Sequence, residues 1–182
     1  MLDKPKPYTM LTDFVTGKEV PNIGAEENRQ RIERLLVEEK GYDTGDIEVD
    51  ADLTFKIKDQ VVHSHVDLVV GIDDKRFMVL RCVPGSLGTR HRETLAAARL
   101  LYTYQIPLSV ITDGTDADVL DTLTGEPIGH GIDAIPSKDE GRKTMRNIEL
   151  KPFPQEKLER EGLIFRSYDE LNINVQRKLK VG

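Results

Sequence analysis

The feature that most constrains the fold is a series of three strand-like segments between residues 47 and 83. Residues 47–57 alternate apolar and polar side chains with a period of two, as a half-buried strand does. Residues 61–72 begin polar and become apolar from Val66, and residues 77–83 form a short apolar run. Because short turns connect the segments, they predict an antiparallel meander.

Helical patterns flank this meander. Residues 24–40 carry apolar side chains at 3.6-residue spacing, and a second helix is predicted over residues 90–104, before Pro107. Strands are then predicted at residues 108–111 and 118–123. A helix crossover after a meander gives a mixed central sheet with helices on its faces. The predicted fold class is therefore α/β.

The chain divides into three parts by composition. Residues 1–23 are rich in Pro, Lys and Gly and predict an extended N-terminal arm. Residues 24–135 contain the patterned core. Residues 136–182 are charged and predict a partly helical extension that packs on the core or on a partner.

Charge and cysteine content narrow the function classes. The 182 residues carry a formal net charge of −6, so the chain lacks the strongly basic balance of many nucleic-acid-binding proteins, although a local basic patch suffices for DNA. Aromatic residues are sparse at 5%, which disfavours base stacking on single strands. The single Cys82 cannot form an internal disulfide, and no apolar run reaches the ~20 residues that span a bilayer. We expect a cytoplasmic protein that is not embedded in a membrane.

Asp67 is the most informative candidate residue, because it interrupts the apolar run from Val66 to Ile72. A carboxylate in an apolar strand costs several kcal/mol unless it is paired or bound to a metal ion. It can hold Mg²⁺, or it can accept a backbone hydrogen bond or pair with Arg81 on the next strand. An ion pair with Arg81 would compete with a metal ion for the carboxylate.

Other candidates have weaker signals. Glu26 and Glu27 open the first helix, where they suit either a metal site or the helix dipole. His63 and His65 share one face of a strand, as a metal pair or as surface residues that contact solvent or phosphate. Cys82 is expected to be a packed core thiol.

A basic block is the best candidate for contact with DNA. It opens the second predicted helix and consists of Arg90, His91, Arg92 and Arg99. Such a cluster can contact phosphates, or it can form a solvated helix face. No P-loop, zinc cysteine set or HExxH motif is present.

The order of these segments carries a family resemblance from about Gly24 to Gly125. The matching stretches are 25–30, 40–42, 66–70, 79–84, 97–102 and 107–114. With these motifs the chain resembles the N-terminal nuclease-like domain of the restriction subunit of type I restriction-modification enzymes, within the PD-(D/E)xK superfamily. The resemblance implies a restriction-endonuclease-like core.

The resemblance also implies a degenerate active site. In the family a metal-binding Asp, matched by Asp67, precedes Glu-x-Lys on the next strand. Arg81 stands at the Glu position and Val83 at the Lys position. A helix glutamate of the family matches Glu26 or Glu27. Some members move a catalytic acid to a neighbouring helix, and Glu93 is the candidate for such a move.

These observations leave three functional hypotheses. The first is a nuclease fold without cleavage activity that acts in DNA or protein binding and needs no cofactor. The second is an active Mg²⁺-dependent DNA endonuclease with a migrated catalytic residue. The third is a protein-interaction module with no role on nucleic acid, whose partner is another protein or a second copy of the chain.

Overall fold

The computed structural model describes residues 7–181 of the chain, with side chains described for residues 7–169. The elements in chain order are β1 (Met10–Thr12), β2 (Glu19–Pro21), α1 (Glu26–Arg34), β3 (Ile47–Ile57), β4 (Gln60–Ile72), β5 (Lys75–Cys82), α2 (His91–Leu100), β6 (Leu108–Thr112), β7 (Ala117–Asp121), β8 (Pro127–His130), α3 (Lys138–Asn147) and α4 (Leu158–Val181). A π-helical turn, Leu35–Glu39, extends α1.

A six-stranded mixed sheet in the order β3-β4-β5-β6-β7-β8 forms the centre of the fold. The neighbouring strands are antiparallel except β5 and β6, which are parallel. The helix α2 crosses over between those two strands, and a parallel pair requires such a connection. The predicted mixed sheet, an antiparallel meander followed by a helix crossover, is confirmed.

The two faces of the sheet carry different helices. On β5, Met78 and Leu80 point into a core that includes Ile32 and Leu36 of the first helical segment. The intervening Val79 packs in a second core with the alanines of α2. Because successive strand residues face opposite sides, α1 and α2 lie on opposite faces of the sheet.

The predicted second helix ends earlier than its sequence pattern suggests. It was expected to run to residue 104, but α2 ends at Leu100. The hydroxyl of Tyr104 donates to the backbone oxygen of Arg76 at 3.2 Å and accepts from its backbone nitrogen at 2.8 Å. These two tertiary hydrogen bonds favour a non-helical path that the helix period cannot reveal.

The described part of the predicted arm, residues 7–23, is folded rather than extended. The strands β1 and β2 pair as a small antiparallel hairpin, and the turn between them packs on α1. The backbone nitrogen of Phe14 donates to the side chain of Gln30 at 2.8 Å, and that of Val15 donates to Glu33 at 3.2 Å. Asp13 is buried beside Arg29, with 3.2 Å between the two side chains. The polar side chains of α1 therefore fix the hairpin, and local sequence patterns carry no trace of that contact.

The C-terminal extension packs on the core in its described part. The helix α3 starts with a reciprocal cap between Ser137 and Glu140, and a Cβ at its Gly141 would collide with Ile72. The helix α4 runs along α2 and buries Phe165, which is 2% exposed. No helix in the described part of the chain has the length and apolar character to cross a membrane.

Glu33 makes the stability of the fold depend on pH. Burial and the nearby Asp13 carboxylate raise the pKa of Glu33 to about 7, although Arg29 opposes the shift. A carboxyl whose pKa is raised in the folded state makes its full contribution to stability at pH values below the pKa it has in the unfolded chain. That stabilisation is lost as pH rises through the folded value.

We expect Glu33→Gln to remove this loss. Relative to wild type, the variant should gain on the order of 3 kcal/mol in unfolding free energy between about pH 4 and pH 8. Urea unfolding of both proteins at the two pH values measures the difference. An identical gap between variant and wild type at both pH values would contradict the assignment.

Candidate functional site

Asp67 lies on β4 at the point where regular pairing with β5 ends, just before the Leu68–Leu80 pair. Its Oδ2 accepts a hydrogen bond from the backbone nitrogen of Cys82 at 2.8 Å. Its Oδ1 accepts from Nη1 of Arg81 at 3.2 Å. The carboxylate thus caps the neighbouring strand and pairs with the adjacent cation, and both oxygens are occupied.

Arg81 also contacts a second acid from another element. Its Nη2 lies 3.2 Å from Oε1 of Glu93, which projects from α2 and is 1% exposed. The other oxygen of Glu93 accepts from Nη1 of Arg90 at 3.0 Å. The four side chains form a continuous chain of alternating charge, Asp67–Arg81–Glu93–Arg90, which ties β4, β5 and the start of α2 together.

The guanidinium of Arg81 remains charged in this setting. Burial alone would lower the pKa of Arg81, but the carboxylates of Asp67 and Glu93 raise it above its usual value. A positive charge is therefore fixed beside Asp67. This charge is where the family resemblance places the second metal-binding acid.

Val83 occupies the predicted lysine position as a core residue. It is 3% exposed and packs with Leu95, Ile111 and Leu120. Its backbone nitrogen donates to the oxygen of Thr112 at 2.8 Å. The position offers no amine to orient or activate a water molecule.

The residues present do not fit a Mg²⁺ ion. Magnesium requires several oxygen ligands in near-octahedral geometry, whereas Asp67 is a single carboxylate whose oxygens already accept one hydrogen bond each. A guanidinium at 3.2 Å would repel the ion. Among the residues that the structure describes, no group of three or more His, Cys, Asp or Glu side chains is placed to hold a metal ion.

The helix glutamates lie elsewhere. Glu26 accepts from Nη2 of Arg29 at 2.7 Å, and Glu27 accepts from the side chain of Asn22 at 2.8 Å. Both belong to the contacts that hold the N-terminal hairpin on α1. Among the described residues, neither joins Asp67 in a group of three or more side chains placed to hold a metal ion.

The first part of the basic block flanks the Asp67 site. Arg90 is paired with Glu93, and its guanidinium lies 5.6 Å from the ring centre of Tyr168 on α4. Arg92 is exposed. Arg90 is thus connected to Asp67 through Glu93 and Arg81, and Arg92 lies exposed two residues further along the chain.

Arg99 is largely enclosed. It donates to the backbone oxygen of Thr122 at 3.1 Å and to Glu161 of α4 at 3.4 Å. Its guanidinium also lies over the ring of Phe153 at 5.2 Å. The assignment of Arg99 to DNA stays a prediction, and its guanidinium is engaged within the protein.

His91 belongs to a cluster that the sequence did not reveal. Its Nε2 lies 2.7 Å from Oδ2 of Asp118, and Nδ1 of His130 lies 2.7 Å from the other oxygen. Burial raises the pKa of Asp118, but hydrogen bonds from His130 and His91 outweigh it and lower the pKa. In turn, Asp118 raises the pKa of His130. The cluster joins α2, β7 and β8, and its long sequence separations left no local signal.

The remaining candidates do not converge on this site. His63 and His65 are exposed on the β3–β4 hairpin, where His63 lies 3.1 Å from the hydroxyl of Thr54. Cys82 is buried, and burial raises the pKa of its thiol well above the usual value. A buried thiol with a raised pKa is a poor nucleophile.

Comparisons with known proteins bear on the family and the fold of the chain. No curated protein matches the chain. The fold is similar to a fragment described as an HsdR subunit of a type I restriction enzyme from Vibrio vulnificus YJ016, at a TM-score of 0.54 and 18% identity. That match covers 68% of this chain and 25% of the other, so this chain spans about a quarter of that fragment. Residues 24–136, more than half of the chain, match the family model of the type I restriction enzyme R protein N terminus, and the chain belongs to this family.

Proposed function

We propose that this chain is a nuclease-fold domain that has lost DNA cleavage and acts by binding DNA. The observation that carries the proposal is the guanidinium of Arg81, held between Asp67 and Glu93 at the position of a metal-binding acid. Metal-assisted hydrolysis needs a cation that polarises the phosphate and generates the nucleophile. The residues at this site supply neither a second free acid nor a lysine.

Binding to DNA is supported by the position of the basic side chains. Arg90 and Arg92 stand at the start of α2, beside the degenerate site, and Arg92 is exposed. Phosphate contacts by arginine give sequence-independent affinity that falls with salt concentration. Because the whole chain carries a net charge of −6, such affinity would depend on this local surface.

The second candidate is an active endonuclease that uses Glu93. Both Glu93 and Asp67 lie 3.2 Å from one guanidinium, so the fold does bring these two acids to the same place. For this candidate, the guanidinium of Arg81 must move away from both carboxylates before they can bind a metal ion. The ion pairs on both sides of Arg81 favour the non-cleaving domain instead.

The third candidate is a protein-interaction module. Leu123 and Ile128, near the β7–β8 turn, are 58% and 61% exposed and offer apolar area for a partner. The absence of DNA binding at low salt would favour this candidate over the proposed function.

We expect purified protein to leave plasmid DNA intact with either Mg²⁺ or Mn²⁺. Gel electrophoresis of supercoiled plasmid measures nicking and linearisation directly. Cleavage that disappears in both Asp67→Ala and Glu93→Gln would establish the second candidate and refute the proposal. Cleavage that persists in both variants would indicate a contaminating nuclease.

Asp67→Ala is expected to destabilise the fold by about 2–4 kcal/mol, because it leaves the Cys82 N–H without an acceptor and deprives Arg81 of one of its two acids. Urea unfolding measures the loss. The matched control is Asp52→Ala, which removes an exposed carboxylate from β3 and should change stability by less than about 0.5 kcal/mol. Equal stability of the two variants would show that Asp67 is not structural.

DNA binding is expected to depend on Arg92. Fluorescence anisotropy with a short labelled duplex, repeated over a salt series, gives the dissociation constant and its log–log slope. Arg92→Ala should weaken binding and reduce the slope by about 1, as loss of one phosphate contact does. The control, Arg31→Ala, removes an exposed arginine from α1 on the opposite face and should change neither. Equal effects of both variants would contradict the assigned surface.

A further inference from the structure

One face of α4 meets the arginines next to the degenerate site. Glu161, Phe165, Tyr168 and Asp169 follow one another at i, i+4, i+7 and i+8, so they share one side of the helix. Phe165 anchors this side in the core, where its ring meets Phe55 edge-on at 5.8 Å. The packing is close, since a Cβ at Gly162 would lie 2.8 Å from the same Phe55 ring.

Three arginines are engaged by this face. Glu161 pairs with Arg99 at 3.4 Å, and the ring of Tyr168 lies 5.6 Å from the guanidinium of Arg90. Asp169 is close enough to act electrostatically on Arg81, adding to the stronger effects of Asp67 and Glu93. In the basic block, Arg92 remains exposed.

We propose that α4 occupies, within the chain, the arginine surface that a nucleic-acid backbone would bind, and that it acts as an autoinhibitory cover. The inference rests on the proposed DNA binding. A carboxylate and an aromatic ring satisfy guanidinium groups in the same ways as a phosphate and a base, by charged hydrogen bonds and by stacking. Cover and DNA would therefore compete for the same donors.

The helix divides into an anchor and a cover. From Leu158 to Phe165 it contributes the buried residues Glu161, Gly162 and Phe165. Tyr168 and Asp169 are only half-buried. These two side chains can therefore be changed without opening the core, and their removal would expose Arg90 and weaken the hold on Arg81.

The test compares the Tyr168→Ala/Asp169→Asn double variant with wild type by anisotropy, with a short labelled duplex over a salt series. The expected result is affinity increased about 10-fold at low salt and a log–log slope steeper by about 1–2, since each phosphate contact contributes about 0.9. Ser167→Ala is the matched control, because Ser167 is exposed on the same turn and its hydroxyl donates to the backbone oxygen of Ile164. It should bind as wild type does.

A triple variant tests whether Arg90 is the arginine that the double variant makes available to DNA. Adding Arg90→Gln to the double variant should remove most of the gain. An increase in DNA affinity that persists in the triple variant, or that comes without a steeper log–log slope, would contradict the proposal that α4 is an autoinhibitory cover. If the double variant fails to fold, Asp169→Asn alone replaces it, with an expected slope steeper by up to about 1.

The outcomes separate the inference from the proposed function. If wild type and the double variant bind DNA with the same affinity and slope, α4 is not an autoinhibitory cover. The proposal that the chain binds DNA is unaffected by that result. Binding by both proteins, tighter and with a steeper slope in the double variant, supports both. Absence of binding by either protein at low salt overturns both.

Discussion

The ion pairs around Arg81 are the contacts on which the site and its surroundings depend. Asp67 interrupts an apolar strand, Glu93 is almost fully buried in α2, and each would be costly without a positive partner. One guanidinium serves both acids because its planar donors project in more than one direction. The same side chain therefore compensates two buried charges and connects the meander to the crossover helix.

This arrangement ties the stability of the site to a positive charge between two acids. Asp67 and Glu93 face one guanidinium, so the cation between them is a protein side chain. The strands and the crossover helix can remain in place because the charge balance of the site is preserved. The local fold therefore depends on a positive charge remaining between the two acids.

The sequence was informative where contacts are local or follow from strand periodicity. Hydrophobic spacing identified the meander, the crossover helix and the neighbouring strands, and it placed Arg81 on the strand next to Asp67. It did not reveal that Arg90 would share Glu93 with Arg81, or that His91 and His130 would meet on Asp118. Those contacts join residues from separate elements, and their geometry depends on the completed sheet. The arm was missed for the same reason, since Asp13 and its neighbours are held by polar side chains of α1 rather than by a strand pattern of their own.

Placing the acid and the lysine that the family resemblance implies at positions 81 and 83 would disturb two different structural roles. A glutamate in place of Arg81 would put a third acid beside Asp67 and Glu93, with Arg90 left as the cation paired with Glu93. A lysine in place of Val83 would enter the apolar cluster with Leu95 and Ile111, where an unpaired charge is expensive. Each change alone is thus expected to cost stability before it contributes to chemistry. The apolar packing around Val83 and the charge balance around Arg81 therefore both oppose the acid and the lysine that the family resemblance implies at these positions.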